Sequence, residues 1–130
     1  MKWLNQIENT QIIDNFFDGV RPDISSVIIH KVILERDGPC ILIVFDVYMD
    51  EDLIPTKWLE KEMKVIQYEC RFIATENVVL NGWACETSAV FRVETKSDKS
   101  IEVNLNGDNI SLSFRCSHIY VNSVKAYCEN

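Results

Sequence analysis

The chain has 130 residues, of which 47% are hydrophobic and 25% charged. That balance belongs to a single globular domain with its own core and excludes a disordered chain. Twenty Asp and Glu against 13 Lys and Arg leave a formal net charge of −7, a field that repels phosphate backbones and argues against nucleic acid as a partner.

The opening, Met1-Lys2-Trp3-Leu4-Asn5-Gln6, lacks the apolar h-region of a secretory signal. No apolar stretch approaches the ~20 residues of a membrane helix. The expectation is a cytoplasmic protein that does not span a membrane. Ile7, Ile12, Ile13, Phe16 and Phe17 recur at near-helical spacing, with Asn9-Thr10 ahead of them as an N-cap candidate. Asp18-Gly19 and then Pro22 stop the pattern. The reading is one short helix over 10–17, within a helical N-terminal segment (1–25) that packs on a sheet together with Trp3 and Leu4.

Residues 26–130 read as antiparallel β structure in the same domain. Val27 to Leu34 and Ile41 to Val47 are two apolar runs, and Glu35-Arg36-Asp37-Gly38-Pro39-Cys40 separates them. Asp-Gly tolerates positive φ and Pro39 has no N–H to donate, so a β-hairpin is expected here. Neither run alternates much with polar residues, which predicts two central, largely buried strands. A long acidic connection follows through 50–61, with a helical turn expected after Pro55.

Residues 62–74 alternate again, with a phase slip at Val65-Ile66 that predicts a β-bulge. Val78-Val79-Leu80 make a short strand ending at Asn81-Gly82, and Trp83 is expected to pack inward. Three alternating runs then follow: 89–93, 101–105 and 110–116. Turns at Lys96–Ser100 and Asn106–Asn109 separate them. Beyond Ile119 and Val121, Asn122-Ser123 marks another bulge candidate. The sum is a mainly β fold: an antiparallel sandwich or strongly curved sheet of about eight strands, with one short N-terminal helix.

Chemistry is hard to find. His30 and His118 stand 88 positions apart (118 − 30) without ligand spacing, and each reads as a hydrogen-bonded structural residue. The five cysteines include no C-x-x-C pair, so reduced, mainly buried thiols are expected, neither a disulfide framework nor a zinc site. There is no G-x-S-x-G and no Gly-rich phosphate cradle. The expectation is no enzyme, no catalytic residue, no metal and no cofactor.

What remains is a charge cluster. Asp46, Asp50, Glu51, Asp52, Glu60 and Glu62 lie within 17 residues, against Lys57 and Lys61, a local charge of 2 − 6 = −4. With Trp58 among them, these residues form a candidate docking site for a basic protein: rim acids steer association and an exposed aromatic anchors it. The competing reading is a solvated loop with Trp58 folded back on the core.

The order of features also resembles a known family. Trp3 is followed by Phe16-Phe17-Asp18-Gly19 with Pro22, then Val32 to Leu34 with Arg36-Asp37-Gly38. Pro55-Thr56-Lys57-Trp58 comes next, then Val65-Ile66 with Phe72, then Leu80-Asn81-Gly82-Trp83. Phe114 with Ile119 to Val121 closes the series. This series is similar to the immunity protein 50 family of bacterial polymorphic-toxin systems. Family members often read Pro-Ser-Phe-His-Asp after the first helix, where this chain has Pro22-Asp23-Ile24-Ser25-Ser26. The resemblance implies a small cytoplasmic protein of bacterial competition. It would bind and neutralise a cognate toxin domain by stoichiometric occlusion, and it brings no catalytic residue with it. The alternative from the residues alone is a small ligand-binding or enzymatic β domain, with its pocket between the sheet and the N-terminal helix.

Overall fold

The computed structural model describes residues 7–9, 11, 24–48, 65–85 and 87–127. The helix expected over 10–17, the positions of Trp3 and Leu4, and the connection 50–61 with its helical turn lie outside the described residues, apart from Gln11. The strands are β1 (Ser26–Glu35), β2 (Cys40–Tyr48), β3 (Val65–Ile73), β4 (Glu76–Asn81), β5 (Ser88–Thr95), β6 (Ile101–Asn106), β7 (Ser111–Cys116) and β8 (His118–Tyr127). They form one eight-stranded sheet in the order β4-β7-β6-β5-β1-β2-β3-β8, antiparallel throughout.

The sheet is not closed, but it folds over on itself. Five strand spacings separate β3 from β7. In a flat sheet, at ~4.8 Å each, that would hold them about 24 Å apart. Yet the rings of Phe72 on β3 and Phe114 on β7 lie 5.1 Å apart in edge-to-face contact. Phe91 on β5 also reaches across, 6.2 Å from Phe72 on β3 and 5.2 Å from Phe45 on β2. Chain connections demand the same shape. β7 passes to β8 through Ser117 alone, and β3 passes to β4 through Ala74 and Thr75, although each pair stands far apart in the strand order. Of the two shapes expected, then, the curved single sheet is the one formed. Its two four-stranded halves face each other across one core, as the layers of a sandwich do.

The hinge between the halves is the β1–β5 pairing, which holds only Ser26↔Val90, Val27↔Ala89 and Ile28↔Ser88. Beyond it, the Ile29 N–H donates to the Thr87 carbonyl at 2.9 Å, and the Thr87 hydroxyl donates to the Ile29 carbonyl at 2.6 Å. This short overlap corrects one expectation. β2 is buried almost throughout, but β1 is buried only near its start. Past Ile29 it has outrun β5 and, among the described residues, pairs only with β2, and Ile33 and Leu34 stand exposed.

Side-chain alternation sets the core. Ile41, Ile43, Phe45 and Val47 on β2 pair with Phe72, Cys70, Tyr68 and Ile66 on β3, and all eight point to one side. Ala89, Phe91, Val93, Val103, Leu105, Leu112 and Phe114 answer from the other half, and Ile7 and Ile24 join the cluster. The register from Tyr48↔Val65 to Cys40↔Ile73 runs without a break, so the bulge expected at Val65-Ile66 is absent. Both residues are apolar because both faces are buried there, not because the phase changes. The bulge expected near Asn122-Ser123 is present: Cys70 pairs with Val121 and Glu69 with Ser123, leaving Asn122 over. The hairpin turns stand where they were expected. Gly38 takes φ +72 in the first of them. At Gly107, in the β6–β7 turn, an added Cβ would meet the Ser88 carbonyl oxygen at 1.9 Å, so only glycine fits.

Candidate functional site

Of the seven acids and aromatics singled out in sequence, Asp46 is the one inside the described residues. Asp50, Glu51, Asp52, Trp58, Glu60 and Glu62 lie outside them. Asp46 projects from β2 on the face opposite the core, directly across from Gln67 of β3 and Ile28 of β1. It is 5% exposed. Its carboxylate has only acceptors to offer, and three groups donate to it: His30 Nε2 at 2.5 Å, Gln67 Nε2 at 3.2 Å and the Tyr127 hydroxyl. A β-bulge places the first of these. Ile29 pairs with Phe45 and Lys31 with Val44, so His30 is the extra residue, re-aimed toward Asp46. Asp46 is thereby a structural knot tying β1, β2, β3 and β8, while the ring of His30 remains about half exposed. His118 is likewise partnered, with Nδ1 2.8 Å from Glu8 Oε1.

The thiols are free where described, but their burial divides. Cys70 and Cys116 are buried. Burial pushes the thiol of Cys70 far up and that of Cys116 to about 12, which leaves them protonated and inert at neutral pH. Cys40 is partly buried, and its thiol is raised by desolvation and by donating to Glu35 at 3.4 Å. Cys85 corrects the expectation of buried thiols, for it is exposed. Cys128 lies outside the described residues.

A polar cleft of about 230 Å³ opens among Asn77, Glu102, Asn104, Ser113, Phe114 and Arg115. It lies on β4, β6 and β7. Arg115 stands 3.6 Å from Glu76 and 3.9 Å from Glu102, and Lys96 stands 3.2 Å from Glu102, so its charges are already paired within the chain. Among the described residues, no three His, Cys, Asp or Glu side chains gather in a way that could hold a metal ion. No helix there is long and apolar enough to cross a membrane.

The feature that sequence reasoning missed is the β4 edge of the sheet. Every residue of β4 is exposed. Val78, Val79 and Leu80 are open to solvent, and Trp83, expected to pack inward, is 55% exposed. Gly82 explains the turn-out: it sits at φ +81, against the Asn109 carbonyl, where an added Cβ would come within 2.5 Å of that oxygen. The chain leaves the sheet there instead of continuing along it. One signal was legible in the sequence. Val78-Val79-Leu80 has no polar alternation, so one of its faces had to be either covered or exposed apolar surface, and the structure leaves both exposed.

The family model described as Immunity protein 50 matches residues 9–127, most of the chain. No curated protein and no solved structure matches.

Proposed function

The chain belongs to the immunity protein 50 family, and from that premise we propose that it binds and neutralises a cognate bacterial toxin domain by stoichiometric occlusion. The family match across 9–127 carries this reading. The net charge of −7 supports it, because an acidic surface accelerates encounter with a basic partner. On this reading the protein acts in the cytoplasm of the cell that makes it, without catalysis, and the toxin domain presents a basic face. The acidic stretch through Asp50, Glu51, Asp52, Glu60 and Glu62 raises the association rate, and Trp58 anchors the complex. Asp46 is held by its three internal donors and serves the fold of that corner.

Growth rescue tests the proposal. The toxin domain is taken from a large neighbouring gene whose product carries a secretion-type N-terminus. Expressed alone, that domain should arrest growth. Co-expression of this chain should restore growth and yield a complex of fixed stoichiometry. Persistent arrest with both proteins folded and present would refute the proposal. Replacing Asp50, Glu51 and Asp52 by neutral residues should slow association most at low salt, since screening already weakens the field near 0.15 M, where the Debye length is about 8 Å.

A further inference from the structure

We propose that the open edge of β4 docks a β-strand of the toxin domain, apolar at alternate positions and flanked by Lys or Arg, which extends the sheet by antiparallel or parallel pairing. This rests on the immunity reading and names the surface it uses.

An edge strand exposes a row of unpaired N–H and C=O groups, and proteins ordinarily blunt such edges with charge, proline, bulges or cover. Among the described residues β4 is hydrogen-bonded along one side only, to β7 through Glu76↔Arg115, Val79↔Ser113, Leu80↔Leu112 and Asn81↔Ser111. Its irregularity falls near the start, between Glu76 and Val79, where Asn77 takes φ +55. From Val79 to Asn81 the strand is regular. It contains no Pro, no Lys and no Arg. Val79 projects on the polar side with Ser113, and Leu80 on the core side with Leu112, so both faces of the edge offer apolar contact. Trp83 stands just beyond, and an exposed aromatic beside apolar neighbours is the usual anchor of an interface. Main-chain bonds would supply affinity and the alternate side chains specificity.

Charge selects the occupant. Residues 76–85 contain one charged side chain, Glu76, and it is exposed at the start of the strand. At the other end Asn81 pairs with Ser111, which brings the Asn106–Ile110 turn and its Asp108 alongside. Glu76 is already shared with Arg115 at 3.6 Å, so the charge that favours basic flanks on an incoming strand is Asp108 beside Asn81 together with the net charge of −7. A second copy of this chain fits worse, for it would bring two molecules of net charge −7 edge to edge with no cation on either β4.

The test compares the full-length chain with its Val79→Lys variant against a catalytically dead form of the neighbouring gene's toxin domain. Val79 is half exposed, so the variant folds, and a lysine on an edge blocks strand addition. Affinity should fall about 30-fold or more, the scale of a hot-spot residue. Amide exchange at 76–81 in the wild type should slow when the toxin domain is added. If the wild type binds but Val79→Lys binds equally well and 76–81 gains no protection, the β4 assignment fails while the immunity reading stands. If the wild type does not bind, both fail. A wild-type dimer in sedimentation that Val79→Lys converts to monomer would assign the edge to a second copy and overturn the proposal.

Discussion

β8 and β4 are the two ends of one sheet, and they are finished in opposite ways. Along β8 the outward groups of Ile119 and Val121 are covered. The Glu8 N–H donates to the Ile119 carbonyl at 2.8 Å, and the Asn9 side chain both donates to the Val121 carbonyl at 2.7 Å and accepts from the Val121 N–H at 2.9 Å. An asparagine amide mimics a peptide group, so Asn9 acts as one unit of a missing ninth strand. The bulge at Asn122 twists the same edge further from regular pairing. Among the described residues nothing comparable bonds to the outer side of β4, and its central side chains, Val78, Val79 and Leu80, are apolar and exposed. Among the described residues, then, one edge is capped at Ile119 and Val121, while on the other the regular stretch Val79–Asn81 beyond the bulge is uncovered. On the docking proposed above, the contrast separates what folding needs from what binding uses: an edge that threatens solubility would be retained for pairing.

Breaking the frame that holds the two edges apart should have the largest effect. Phe72 touches both Phe91 and Phe114 across the core. Phe72→Ala should cost about 3–5 kcal/mol in chemical denaturation, by burial lost and cavity gained. A cost below about 1 kcal/mol would mean that the halves do not share one core.

Uncovering β8 should make it behave like β4. Asn9→Ala should lower stability by about 1–3 kcal/mol, because the Val121 backbone groups lose both partners. Amide exchange at Val121 should accelerate, with new concentration-dependent association. Unchanged exchange at Val121 would show that Asn9 is not what protects the edge.

The β3–β8 pairing has a weakness of its own. Tyr68 pairs with Val124, its ring stacks on Phe45 at 5.4 Å, and its buried hydroxyl has no hydrogen-bond partner among the described residues. Removing that oxygen with Tyr68→Phe should raise stability by about 1 kcal/mol, as an upward shift of the denaturation midpoint. A loss of stability instead would reveal a partner for the hydroxyl.

The smallest effect belongs to β4. Val79→Lys should leave stability within about 0.5 kcal/mol of wild type, since it exchanges one exposed side chain for another. Strong destabilisation would mean that the β4 edge contributes to the fold, and the contrast with β8 would collapse.

Much of the fold was legible in the chain, and for local reasons. Asp37-Gly38 and Asn106-Gly107 are turn-forming pairs, so the hairpins could be placed without knowing what lay around them, although only Gly38 takes positive φ and Gly107 is required by the Ser88 carbonyl instead. Alternation in 89–93, 101–105 and 110–116 identified the core-facing residues, because the side-chain period of a strand is fixed at two. The readings that failed were those in which an apolar residue has two explanations. Val65-Ile66 looked like a phase change and is a site buried on both faces. Val32 to Leu34 looked buried and largely overhangs a neighbour that stops short. Trp83 looked like core and stands in solvent.

By itself, then, the sequence determined the class, the number of strands, the turns and the identity of most core residues, all consequences of backbone preference and of a two-residue period. The tertiary structure decided which strands lie at the ends of the sheet, and therefore which apolar residues are covered. It also decided that Asp46 turns to His30, Gln67 and Tyr127. Burial is not a property of a side chain but of what the rest of the chain places over it. Val78, Val79 and Leu80 are apolar because the sequence says so, and exposed because among the described residues no strand follows β4 in the sheet.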